Sequence, residues 1–384
     1  MGRNPWNMSQ KTWQYLQGIR GWHTKRKIVV ITSDDWGSIR MPSREVYNRC
    51  LRKGYQLEKT LYERFDTLAS QDDIFLLFEL LSSFKDYYGN PASITANCVV
   101  ANPDFARIEA DGFQHYYYEL ITETFKHYPC HSKNFELWKE GLENKIFFPQ
   151  YHAREHLNVS LFMNALRNGD ENVHFSFQNN MPGIILPGAL NTSNIYVEAL
   201  RYRSLQDKAE KISIYLEGLD LFCKIFGYRS LTITPPNYTW SPDFDYDVYA
   251  KGVIGIQSTR KLREPLYTNK YIYHSHYMGE RNEFGQVYLL RNALFEPTIP
   301  DYKLKDPVDR CLSDMSIAFS MNRPVIICSH RINYVGFLDQ SNRDRTLSML
   351  KIILKRALQK WPDIEFLNAG QLINEIITKN KLSR

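Results

Sequence analysis

Apolar, β-branched runs alternate with amphipathic stretches along most of this chain, and that alternation limits its fold more than any other feature. Ile28-Val29-Val30-Ile31 opens the series. SITANCVVA (93–101) follows the amphipathic DDIFLLFELLSSFKDYY, and KIFFPQY (145–151) follows a longer patterned stretch from 112 to 142. GIILPG (183–188), SLTITPP (230–236), GVIGIQS (252–258), KYIYHS (270–275), VYLLRN (287–292), VIICS (325–329) and IEFLN (364–368) come after. In AEKISIYLEGLDLFCKIFG and RTLSMLKIILKRALQKWPD the apolar residues recur every three or four positions, the spacing of a helix with one buried face. Strands alternating with helices imply βα units and a parallel sheet, here with enough strands to close into a barrel. The expectation is one α/β domain over 1–384. It carries a poorly defined N-terminal extension over 1–25 and an aromatic-rich insertion over about 237–300 that caps the barrel mouth.

With 384 residues, 43% of them hydrophobic and 23% charged, the chain has the make-up of an ordinary folded protein able to bury a large core. Its formal charge of +6 is spread without a basic tail. That distribution argues against nucleic acid as a partner and suits a mildly cationic surface or an anionic ligand. Cys50, Cys98, Cys130, Cys223, Cys311 and Cys328 form no CxxC pair and no regular framework, the pattern of free thiols in a reducing compartment. No stretch reaches the roughly 20 apolar residues that span a bilayer. MGRNPWNMSQKTWQYLQG lacks the apolar core and cleavage site of a signal peptide, so the expected location is the cytoplasm.

The first apolar run ends in IVVITSDDWGSIR, which sets Asp34 and Asp35 side by side before the turn at Gly37. A solvated Asp-Asp turn is one reading. The other is a site, because α/β proteins keep functional groups at the carboxyl ends of buried strands. KIFFPQY likewise runs into HAREH, where His152 and His156 at i and i+4 lie on one face of a helical turn and can share a metal ion. One carboxylate with two imidazoles is a three-ligand set that leaves positions open for water and substrate. On this reading Asp35, His152 and His156 hold a divalent ion, with zinc the expected one. Asp34 stays ionised beside it and takes a proton from water. VIICSHR puts His330 at the carboxyl end of a further strand, where it can act as general acid rather than as a satisfied core histidine.

In their order these motifs resemble the metal-dependent polysaccharide deacetylases of carbohydrate esterase family four, within the glycoside hydrolase/deacetylase barrel superfamily. The shared order is an Asp-Asp strand end, an HxxxH after a later strand, a turn bearing Pro and Tyr, and a histidine near the last strands. The resemblance runs from about residue 26 to 370 and is sharp only at the motifs. It implies a distorted (β/α)7-type barrel, Asp34 as general base, Asp35, His152 and His156 as metal ligands, and His330 as general acid. It also implies hydrolysis of an N- or O-acetyl group on a sugar, with zinc or a similar divalent ion. Two departures bear on this. The family's T-F-D-D-G becomes TSDDWG, with Trp36 before the glycine. TPPNYTW carries Thr234 where the family has an arginine that orients the base, and Asn237 between Pro236 and Tyr238. Tyr238 is expected to keep an oxyanion role through a nearby backbone N–H, and orientation of Asp34 falls to Arg331 or Arg291. Trp36, Pro236, Trp240 and Arg331 are expected to contact substrate.

A cytoplasmic location points to an acetylated sugar or a nucleotide- or lipid-linked saccharide precursor, whose phosphate the basic balance would favour. The alternative is a non-catalytic carbohydrate-binding barrel, which the missing arginine supports. Cleavage of a glycosidic bond would need a second carboxylate pair roughly 5–10 Å apart, and the sequence nominates none. His274 and His276 in YHSHYMGE, with Glu280 nearby, have metal-ligand spacing too, although substrate contact or plain structure suits that segment better. Tyr238, Trp240, Phe244, Tyr246, Tyr249, Tyr267, Tyr271, Tyr273 and Tyr277 are expected to line a cleft over Asp34 and His330, or else to anchor the insertion.

Overall fold

A computed structural model describes residues 20–183, 196–268, 270–299 and 306–382, with side chains described to residue 378. Its strands, in chain order, are β1 (Lys27–Trp36), β2 (Ile94–Val99), β3 (Ala101–Pro103), β4 (Tyr118–Leu120), β5 (Phe147–Ala153), β6 (Thr232–Ile233), β7 (Gly255–Ser258), β8 (Lys261–Pro265), β9 (Tyr271–Ser275), β10 (Val287–Leu290), β11 (Ala293–Leu294), β12 (Val325–His330) and β13 (Ile364–Phe366). Nine of them form one parallel sheet in the order β10-β7-β6-β5-β2-β1-β12-β11, with β13 beside the start of β1. Val29 pairs with both Val325 and Phe366, so β13 lies across β1 from β12.

The outer strands β10 and β11 are consecutive, separated only by Arg291 and Asn292. The Arg291 N–H donates to the carbonyl of Ser258, the last residue of β7 (2.9 Å), and the Asn292 N–H donates to Ile326 of β12 (3.0 Å). This two-residue seam ties the two edges of the sheet together and closes it into a distorted (β/α) barrel.

Ile28, Val29, Val30 and Ile31 are each at most 2% exposed. Burying a side chain of this kind contributes roughly 1.5–3 kcal/mol. A strand sends alternate side chains to opposite faces, and in β1 the two sets join different clusters. Val29 and Ile31 enter the main core with helix residues such as Leu77, Phe222 and Leu350. Ile28 and Val30 meet Val287, Leu289 and Ile326, together with Leu372 and Ile373 of the C-terminal helix Ala369–Leu382. Continued at period two, that second set runs into Thr32 and Asp34 on β1, Cys328 and His330 on β12, and Arg291 after β10. The same barrel face is apolar at one end and polar at the carboxyl ends of its strands.

Two expectations need correction here. Residues 237–300 are not one insertion, since β7, β10 and β11 belong to the barrel sheet. What leaves the sheet is the antiparallel β8–β9 hairpin, so KYIYHS is a hairpin strand. The hairpin stands where a βα unit would place a helix, and strands of two to four residues are too short to show a period. GIILPG, apart from Gly183, lies outside the described residues, as do residues 1–19 of the expected N-terminal extension. The end of that extension is part of the fold, for Trp22 is 8% exposed and its N–H donates to Met278 (2.8 Å). All six cysteines are free. Among the described residues no helix is long and apolar enough to cross a membrane.

Candidate active site

Two β-bulges shape the barrel mouth. Ser33 pairs with Ala96 and Trp36 with Cys98, so Asp34 and Asp35 together face Asn97 alone. Adjacent strand residues would normally point to opposite faces. The bulge, with Asp35 at φ +72°, lets both carboxylates reach one site. Gly37 at φ +83° completes the turn, and a Cβ there would stand 3.2 Å from the Ile121 side chain and from the Val99 carbonyl. β5 repeats the device: Cys98 pairs with Tyr151 and Val99 with Ala153, which leaves His152 as the extra residue.

Asp35 Oδ1 lies 3.4 Å from His152 Nε2 and 3.5 Å from His156 Nε2. Two ligands each about 2.1 Å from a tetrahedral ion stand about 3.4 Å apart, so these separations match a coordination edge. His152 Nδ1 donates to the Thr234 carbonyl at 2.6 Å, a bond of the kind that orients metal-ligating histidines. In a neutral His152 that bond leaves Nε2 as a bare acceptor facing a carboxylate oxygen. Acceptor against acceptor is repulsive unless a cation lies between them. Burial pushes His156 down to about 4 against the attraction of Asp35, keeping it neutral as a ligand must be. These residues fit a divalent cation. Among the described residues no other group of three His, Cys, Asp or Glu side chains has such spacing.

Asp34 is held from two sides. Arg291 donates Nη1 to Oδ2 at 2.5 Å and Nη2 to Oδ1 at 2.7 Å, and Asn97 Nδ2 donates to Oδ1 at 2.7 Å. Gln257 Nε2 fixes Asn97 in turn, donating to its Oδ1 at 2.9 Å. Burial pushes the Asp34 carboxyl up, but the charge and hydrogen bonds of Arg291 outweigh it and hold the group at about 2. Of the two arginines expected near Asp34, Arg291 is the one that bonds it, and Thr234 Oγ1 accepts from Arg291 Nη2 at 3.1 Å.

His330 Nε2 stands 3.8 Å from Asp34 Oδ2. On its other side Nδ1 bonds Glu296 Oε1 at 2.5 Å, and Asn333 Nδ2 donates to Glu296 Oε2 at 2.7 Å. Burial works against the charged imidazole, yet Glu296, Asp34 and Asp35 outweigh it and hold His330 well above its ordinary range. The ring is a charged donor whose Nε2 faces the same space as Asp34.

Other expected site residues stand elsewhere. The Tyr238 N–H closes its own turn onto the Pro235 carbonyl (2.9 Å). Its hydroxyl accepts from Arg291 Nη1 at 2.9 Å, so Tyr238 positions Arg291. Trp36 is 1% exposed among Trp138, Phe147 and Tyr334, because the residue after the bulge turns back to the core. Pro236 is buried, and Trp240 packs between Tyr215 and Phe244 with Nε1 donating to Asp245 (2.7 Å). Arg331 is fully buried and clamps Asp66 and the Ser38 carbonyl rather than Asp34 or a ligand. Of the aromatics expected to line a cleft, Tyr246 and Tyr249, on the helix Asp245–Ala250, lie on Phe284, Tyr267 lies on Tyr202, and Tyr271 donates to Glu198; Tyr246, Tyr249, Tyr267, Tyr273 and Tyr277 are exposed. His274 pairs with Glu264 and His276 with Glu280, each with its own carboxylate. Glu296 and Asn97 were not anticipated. Asn97, a polar residue inside a buried run, carried the one signal that could have found it.

No protein-family model matches the chain, and no curated protein matches it. Structures described as polysaccharide or peptidoglycan deacetylases recur among the solved structures similar to it. A probable polysaccharide deacetylase from Pseudomonas aeruginosa is 10% identical at a TM-score of 0.45, covering 91% of each chain. Puue allantoinase is 10% identical at 0.47, covering 97% of each chain. A 4-alpha-glucanotransferase from Thermococcus litoralis is 7% identical at 0.42, covering 92% of this chain and 40% of its own. Likenesses this distant carry no activity with them, and the chemistry has to come from the site itself.

Proposed function

We propose that this chain is a metal-dependent hydrolase that removes an acetyl group from a carbohydrate. The observation that carries the reading is the convergence of an open Asp35–His152–His156 set with an ionised Asp34 and a charged His330 at one barrel mouth. A divalent ion held by the three ligands, zinc being the one proposed, would supply Lewis acidity toward a water molecule and the acyl carbonyl. Asp34 accepts the proton of that water through Oδ2, the oxygen turned toward His330. Arg291 and Asn97 keep the carboxylate ionised and aimed, although the same tether makes it a weak base by itself. His330 Nε2 delivers a proton to the departing amine or hydroxyl, and Glu296 at Nδ1 holds the ring in its charged form. The arginine whose absence favoured a non-catalytic barrel is supplied by Arg291, which weakens that alternative. The proposed substrate is an acetylated sugar or a saccharide precursor.

Acetate release from a panel of N- and O-acetylated saccharides tests the reading. The zinc-loaded chain should release acetate from at least one of them, and chelation should abolish the release. If the loaded chain stays inert across the panel while binding the sugars, the non-catalytic reading takes its place.

A further inference from the structure

We infer a second binding pocket, for a small organic oxyanion (a carboxylate or a phosphate monoester), beside the seam that closes the barrel. A cavity of about 330 Å³ lies between residues 290–294 and the helix Pro307–Ser320, within the size range of small-molecule sites. Arg20, Arg260, Arg310 and Arg323 line it; Asp314, the one acid among its described lining residues, stands 4.0 Å from Arg310, and Arg323 donates to the Trp22 and Arg20 carbonyls. Leu290, Ile317 and Met321 give it an apolar wall. None of Asp35, His152, His156 or His330 borders it, so it is not the site already described.

Arg291 supplies the independent sign of a ligand. Its side chain is wholly buried, its two Nη atoms are taken by Asp34, Thr234 and Tyr238, and its Nε is buried without a partner. Arg291 also lines this cavity. A buried donor left unpaired is costly, and an oxyanion seated there would accept it. The arginines thus select the oxyanion, and the apolar wall receives a short hydrocarbon body. Because Arg291 also holds Asp34, an occupant draws on the same charge that keeps that carboxylate ionised.

Calorimetric titration of the full chain with butyrate, butyl phosphate, butyramide and inorganic phosphate tests this directly, without reference to any catalytic activity. Butyrate or butyl phosphate should bind, and the neutral butyramide should bind at least tenfold more weakly. Arg260→Gln and Arg310→Gln should each weaken the anion at least tenfold with unchanged melting of the free protein, and Arg310→Lys should restore most of it. Equal binding of butyramide, wild-type affinity in both glutamine variants, or no anion binding at millimolar concentration overturns the proposal. Inorganic phosphate binding as tightly as butyl phosphate removes the organic class from it.

Discussion

Asp34 has to take a proton while an arginine holds it by two bonds, and that tension yields two predictions. Asp34→Asn keeps the shape and removes only the proton acceptor. Turnover should fall roughly 10²-fold or more with metal content intact, as acetate release and elemental analysis would report. Equal activity in the variant would move the base to another residue. Arg291→Gln removes the charge that outweighs burial at Asp34, so the carboxyl should rise from about 2 toward or beyond the ordinary carboxylate range. The acid limb of the kcat/KM profile should move to higher pH in this variant, and an unmoved limb would show that Arg291 does not set the base. At this scale the sequence was informative where a polar group ended an apolar run, as at Asp34, Asp35, His152 and His330. It misled at Trp36 and Arg331, because adjacency along a strand end says nothing of orientation. Glu296 was hidden for another reason: the β11 strand just before it is only two residues long, too brief to mark a strand end.

The two bulges convert neighbouring residues into partners at one site, and Gly37 allows the first of them. With φ at +83° and the Val99 carbonyl 3.2 Å from any added Cβ, Gly37→Ala should destabilise the fold by about 1–2 kcal/mol. Chemical denaturation would measure the loss, and an unchanged midpoint would show that the turn tolerates a side chain. Strand and helix runs were legible from their periods, which is why the parallel sheet could be expected. The seam was not. Closure through Arg291 and Asn292 depends on β10 pairing with β7 while β11 pairs with β12, a register that no local pattern records.

Across the whole molecule the site draws on β1, β2, β5, β12, the turn after β6 and the seam, so it exists only when the barrel closes. Its titration is therefore part of its stability. His156 is held neutral down to about 4, whereas an unfolded histidine takes up its proton near 6.5. Between these values the unfolded chain binds more protons, so stability falls as pH drops from about 6.5 toward 4, by roughly 3 kcal/mol at most. The metal-free His156→Gln variant should show a shallower decline in melting temperature over that window, and parallel curves would place the loss elsewhere. Of all the proposed roles, a metal centre at Asp35, His152 and His156 is the one the others depend on, and Asp35→Asn addresses it with the least disturbance. Asparagine tolerates the positive φ at that position and removes only the charge. Calorimetric titration of the chelator-stripped chain with Zn²⁺ should give one equivalent for the wild type, with affinity at least 10²-fold weaker in Asp35→Asn. No zinc binding by the wild type, or equal affinity in the variant, would mean that these three residues are not a metal centre.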